Sequence, residues 1–155
     1  MNKRPMMQGI EFHCESKHEL IGLNLFRSTF ASIIHENTNY ETFYAGKYLN
    51  EYHGTAVPKG WDHWYGLVGN SKYYNYSLNV NGILEKHGDD YETDYLTDNI
   101  GRYAMDFLSN RDRERPFLMV LATPASHAPF TPAPQYSNEF PDEVCTFKYT
   151  KNKSL

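Results

Sequence analysis

The stretch Phe117-Leu-Met-Val-Leu-Ala122 is apolar at every position. A strand with one wet face alternates apolar and polar residues, so an unbroken run reads as a strand covered on both faces in a parallel sheet. The segment before it has a different period. Leu96, Ile100, Tyr103 and Phe107 recur at spacings of four, three and four, a helical stripe that continues through Leu108 and is opened by Asp89 or Asp90. Asp94, Asp98, Arg102 and Asp106 fall on the opposite, solvated face. Helix 90–108 followed by strand 117–122 is an α/β signature.

The same order occurs earlier. Ser28-Thr-Phe-Ala-Ser-Ile-Ile-His-Glu36 reads as a short helix capped by Ser28 or Thr29, with Phe30, Ile33 and Ile34 on one face, and Asn37-Thr-Asn39 ends it. Tyr40-Glu-Thr-Phe-Tyr-Ala45 reads as a strand stopping at Gly46, which leaves Lys47 just beyond its carboxyl end. In open α/β sheets ligands bind at that edge. Residues 50 to 88 show no sustained helical period and read as irregular loop plus a hairpin, with Asn81-Gly82 turning between Tyr76-Ser-Leu-Asn-Val80 and Ile83-Leu84-Glu85. Arg111-Asp-Arg-Glu-Arg115 alternates in charge, which suits a wet connector better than an anion patch. After the second strand, Thr123-Pro-Ala-Ser-His-Ala-Pro-Phe-Thr-Pro-Ala-Pro134 is stiffened by four prolines and holds His127 between Ser126 and Pro129. A histidine so placed serves either as a ligand-contacting group or as a hydrogen-bonded structural one.

Composition narrows the partners. The chain has 155 residues, 15 Lys+Arg against 19 Asp+Glu, and 40% hydrophobic content. It reads as one globular domain, and a net charge of −4 without a basic cluster argues against nucleic acid or an anionic membrane as partner. No run of apolar residues is long enough to span a bilayer, and no apolar stretch behind Lys3-Arg4 makes a signal peptide. Thirteen tyrosines suit half-wet surfaces and sugar-facing grooves, and equally serve as filler. Cys14 and Cys145 are too far apart for a CxxC pattern, so their pairing is open. The sequons at Asn75 and Asn152 are compatible with a secretory route, and Asn75 is the candidate glycosylation site.

Several of these segments, taken in order, carry a resemblance. Tyr40-Glu-Thr-Phe-Tyr-Ala-Gly-Lys-Tyr-Leu-Asn-Glu-Tyr52, Pro58-Lys-Gly-Trp61, Asn70-Ser-Lys-Tyr-Tyr-Asn-Tyr76, Lys86-His-Gly88, Asp94-Tyr-Leu-Thr-Asp98 and Ala122-Thr-Pro-Ala-Ser-His-Ala-Pro129 together resemble the sulfatase family. The pattern is most like that of sulfatases acting on the 6-sulfate of N-acetylglucosamine, with extracellular heparan endosulfatases as relatives. The resemblance implies an alkaline-phosphatase-like α/β domain with a mixed, mainly parallel sheet. It further implies hydrolysis of sulfate esters on glycosaminoglycans such as heparan or keratan sulfate, by a formylglycine nucleophile and a bound calcium, in the lysosome or outside the cell. By that resemblance Lys47 and His127 are catalytic contacts to the sulfate, and Asn50 and Tyr52 line the substrate pocket.

The chain also departs from the family pattern. The nucleophile motif Cys-x-(Pro or Ser)-x-Arg is missing: Cys14-Glu-Ser-Lys-His18 has histidine in place of arginine and stands too close to Lys47. The calcium-binding aspartates and the second lysine have no counterpart, and Asn39 replaces the glycine usual before Tyr40. The expected organisation is an uncertain segment 1–13, an internal part of a sulfatase domain over 14–140, and a divergent tail 141–155. Two expectations follow: an incomplete, inactive piece of a sulfatase whose partner is the missing remainder of that domain, or a non-catalytic module that binds sulfated glycan.

Overall fold

The computed structural model describes residues 29–139. Cys14, Cys145, Ser28 as a cap and the sequon at Asn152 lie outside them. The order of elements is α1 (Phe30–Asn37), β1 (Glu41–Lys47), β2 (His63–Leu67), β3 (Ser77–Val80), β4 (Ile83–Lys86), α2 (Tyr91–Asp94), α3 (Leu96–Asn110), β5 (Phe117–Ala122) and a 3₁₀ turn at Pro134–Tyr136. The five strands form one mixed sheet in the order β4-β3-β2-β1-β5, with β2, β1 and β5 parallel and the β3–β4 hairpin antiparallel.

The α/β class and the second helix-to-strand unit are as the sequence predicts. Leu96, Ile100 and Phe107 of α3 are buried against Phe43 and Ala45 of β1 and Leu67 of β2, with Tyr103 packed on this cluster. Leu108 is an exception at 37% exposed. The helix is also two pieces: Asp90 caps α2 by accepting from the Thr93 amide, and an extended Tyr95 separates α2 from α3.

Thr29 caps α1 through a capping box with Ser32. The face expected to be buried is not: Phe30 and Ile33 are 58% and 51% exposed, while Ala31 and Ser32 are buried. Phe30 instead rests edge-on against Trp61, because the far side of the sheet already has an aromatic layer. In that layer Tyr44 stacks on Trp64 at 4.7 Å, and Tyr48, Tyr52 and Trp61 pack around them.

β2 falls within residues 50–88, where the sequence predicts irregular loop before the hairpin. It lies parallel to β1, with Tyr44 beside Trp64 and Gly46 beside Gly66. The hairpin is as predicted, turning at Asn81 (φ 49°) and Gly82 (φ 98°), the pair of positive φ values that a tight two-residue turn requires. β5 is less covered than expected. None of its residues is fully buried, Leu121 is 47% exposed, and its outer edge has no partner among the described residues.

Candidate functional site

Gly46 does not end β1. It pairs with Gly66 on one side and Ala122 on the other, and Lys47 pairs with Leu67 as the last residue of the strand. The strand continues because glycine accepts φ 114° and because the Ala122 carbonyl comes so close that a Cβ on residue 46 would lie 2.0 Å from its oxygen. Lys47 therefore leaves the sheet at the carboxyl end of β1, and the chain after Ala122 leaves at the carboxyl end of the adjacent parallel strand. β1 leads on to β2 on one side, while β5 lies on its other side. In α/β sheets the crevice beyond such carboxyl ends is where ligands bind.

Lys47 is half-buried at its base, and its ammonium forms no ion pair or hydrogen bond among the described residues. Its carbonyl accepts a short hydrogen bond from the Tyr44 hydroxyl. Burial in the aromatic layer, reinforced by Tyr48, pushes the Tyr44 phenol up to about 12, so it stays a donor and fixes the end of the strand. Leu49 to Tyr52 form a turn in which the Tyr52 amide donates to the Leu49 carbonyl at 3.2 Å, with Asn50 exposed at its tip. The Tyr52 hydroxyl donates to the Ala56 carbonyl at 2.5 Å and accepts from the Trp64 indole at 3.1 Å. Its one proton is therefore spent inside the protein.

His127 sits at the junction of two tight turns. Its amide donates to the Pro124 carbonyl at 2.8 Å, and its own carbonyl accepts from the Phe130 amide at 2.9 Å. The imidazole is exposed, with Nδ1 2.8 Å from the Ala128 carbonyl. A carbonyl only accepts, so Nδ1 carries the proton and Nε2 is the ring atom left to face a ligand. Nε2 then accepts when the ring is neutral and donates only when the ring is an imidazolium.

The loop is held from behind by tyrosines. The Tyr73 hydroxyl donates to the His127 carbonyl at 2.7 Å, and the Tyr95 hydroxyl donates to the Thr131 carbonyl at 2.9 Å. The two rings stack at 6.1 Å, 16° from parallel. Tyr91 donates between Gln135 and Asp98, at 2.7 and 2.9 Å. The Tyr73 bond spans 54 residues, and nothing in the sequence signals it except that Tyr73 falls in the Asn70–Tyr76 motif. A cleft of about 270 Å³ lies between these rings and the loop, lined by Thr97, Asp98 and Phe130 among others, but neither Lys47 nor His127 lines it.

Asn75 is exposed on a turn at φ 51°, its amide bonded to the Gly88 carbonyl. Among the described residues no group of three or more His, Cys, Asp or Glu side chains comes together to hold a metal. These residues thus do not fit the calcium that the resemblance implies. Among them, too, no helix is long and apolar enough to cross a membrane.

Comparison with known proteins adds to this geometry. The family profile "Sulfatase" matches residues 5–154. The chain is 49% identical over 119 residues to the N-acetylglucosamine-6-sulfatase of Homo sapiens, covering 73% of this chain and 22% of that protein. It is 44% identical over 112 residues to a putative extracellular sulfatase Sulf-1 homolog of Caenorhabditis elegans, covering 70% and 16%. Among solved structures it superposes with a TM-score of 0.61 and 29% identity on a protein in complex with its substrate D-glucosamine-2-N,6-O-disulfate, covering 77% of this chain and 23% of that one. The chain thus spans about a fifth of the length of these curated relatives.

Proposed function

Because the chain belongs to the sulfatase family, we propose that residues 14–140 are an internal part of a sulfatase domain and supply the sulfate-contacting side of a site that cleaves the 6-sulfate of glucosamine units in heparan or keratan sulfate. The observation that carries this reading is the parallel pairing of β1 with β5, which brings Lys47 and the His127 loop out at one edge of the sheet. The similarity to 6-sulfatases supports the choice of ester.

The chemistry assigns each group a part. As the sulfur–oxygen bond breaks, negative charge spreads over the peripheral sulfate oxygens and the leaving oxygen, and fixed positive donors stabilise it. Lys47, a compact ammonium on a strand end, contacts a peripheral oxygen. His127 donates from Nε2 as an imidazolium, to a sulfate oxygen or to the departing one. Asn50, exposed at the turn tip, contacts the sugar. Tyr52 holds that turn in place by its ring and its committed hydroxyl. No step is derived through calcium or formylglycine, since the described residues offer no cradle for the metal and both cysteines lie outside them. A nucleophile for turnover is therefore assigned to none of the described residues. A module that only holds sulfated glycan would use the same two cations. An exposed Asn75 is compatible with the secretory route, and on the resemblance to lysosomal and extracellular sulfatases we place the protein's action in the lysosome or outside the cell.

The test is titration of the chain with glucosamine 6-sulfate, followed by amide NMR. Saturable shifts at residues 46–48 and 125–130, absent with unsulfated glucosamine and lost in Lys47→Ala, are expected. Equal responses to the two sugars, or an unaltered response in Lys47→Ala, would overturn the reading.

A further inference from the structure

We propose that Tyr73 is a positioning residue for His127, acting through the main chain of the loop that carries the imidazole; this rests on the sulfate-binding reading above. Tyr73 is 4% exposed, comes from a segment 54 residues away, and directs its hydroxyl to the His127 carbonyl itself at 2.7 Å. That carbonyl also accepts from the Phe130 amide at 2.9 Å, so both lone pairs of one oxygen are taken and the peptide plane following His127 has no freedom to rotate. The orientation of that plane matters because the same plane leads to Ala128, whose carbonyl receives Nδ1–H at 2.8 Å and thereby leaves Nε2 to the ligand. Tyr73 thus fixes which ring nitrogen faces the sulfate, without touching the sulfate.

The partner of this grip is Tyr95, whose ring backs Tyr73 and whose hydroxyl holds Thr131 four residues downstream. Phe130, at φ 60°, is in a conformation that costs a non-glycine residue free energy and needs such external restraint. With Tyr73 stacked on Tyr95 and Tyr95 on the junction between α2 and α3, the loop is referred back to the helix that packs under β1. The Lys47 end and the His127 end of the site therefore share one frame.

A double-mutant cycle in the full chain tests this. Tyr73→Phe keeps the stacked ring and deletes one hydrogen bond. With His127 present it should weaken glucosamine 6-sulfate binding roughly threefold to tenfold, the scale of a single hydrogen bond. In the His127→Ala background it should change affinity less than about twofold, because the residue it positions is gone. In the unliganded chain, at a pH where the ring is neutral, long-range proton–nitrogen correlation of His127 should show the Nδ1–H tautomer in the parent and a mixture in Tyr73→Phe, a change that lost packing alone does not produce. Equal weakening in both backgrounds, or an unchanged tautomer, would overturn the positioning role. His127→Ala binding as tightly as the parent would instead sink the sulfate-site reading beneath it. Should Tyr73→Phe lack a cooperative melt, Tyr95→Phe, which frees the same loop at Thr131, carries the cycle under the same criteria.

Discussion

Replacing Gly46 by alanine probes the close approach that brings the two strand ends together. At φ 114° an L side chain is strained by about 1–3 kcal/mol. The added Cβ would also stand 2.0 Å from the Ala122 oxygen and 2.6 Å from its carbon, where ordinary contact begins at 3.4 Å. Both are main-chain atoms, so β5 itself must retreat by more than about an ångström, a shift that weakens two ladder hydrogen bonds at roughly 1 kcal/mol each. The sum, about 3–5 kcal/mol, is a large part of the 5–15 kcal/mol that holds a typical domain together. With a urea slope of about 1–3 kcal/mol per molar, the unfolding midpoint should fall by more than about 1 M. Gly82→Ala is the control: φ there is 98°, but nothing lies within 4 Å of an added Cβ. It should lose only the dihedral term. Equal losses in the two variants would refute the claim that the approach of β5 makes glycine obligatory at 46.

Other outcomes follow from burial and exposure. Ile100→Ala, at a site 1% exposed beneath β1, should cost about 2–5 kcal/mol in the same urea assay, and a loss under 1 kcal/mol would mean the core relaxes around it. Tyr44 and Tyr76 are both raised by burial to about 12 from 10.0, so the folded state holds their protons more tightly. Their contribution is intact below pH 10 and is lost as the pH climbs toward 12, on the order of 2 kcal/mol each. Chemical denaturation across that interval, with tyrosinate absorbance followed in parallel, should show stability falling, and a flat profile would contradict it. Produced behind a secretion signal in a glycosylating host, the chain should carry a glycan at Asn75 that Asn75→Gln removes as one step in gel mobility; no step means that the sequon is silent.

What the sequence disclosed is what short-range pattern encodes. The period of Leu96, Ile100, Tyr103 and Phe107, the Asn81-Gly82 turn and the apolar hexad of β5 each depend on neighbours a few positions away. β2 was hidden because Trp64 and Gly66 face the aromatic layer while His63, Tyr65 and Leu67 face α3, so neither alternation nor continuous apolarity marks it. The exposed Phe30 and Ile33 show the opposite limit, since a sequence stripe does not say whether the surface it faces is already occupied. Lys47 and His127 were legible as residues at strand ends. Their shared edge depends on strand order, and the Tyr73 bond on contacts that only the folded chain makes.

Both tryptophans, Trp61 and Trp64, belong to the aromatic layer beneath the Lys47 end of β1, and the Trp64 indole donates to Tyr52. Intrinsic fluorescence is consequently a local gauge. It registers disturbance around the strand end and its following turn, yet is silent about the proline loop that bears His127. An emission titration that stays flat would leave the His127 loop unobserved, and a reporter placed on that loop is needed to see it.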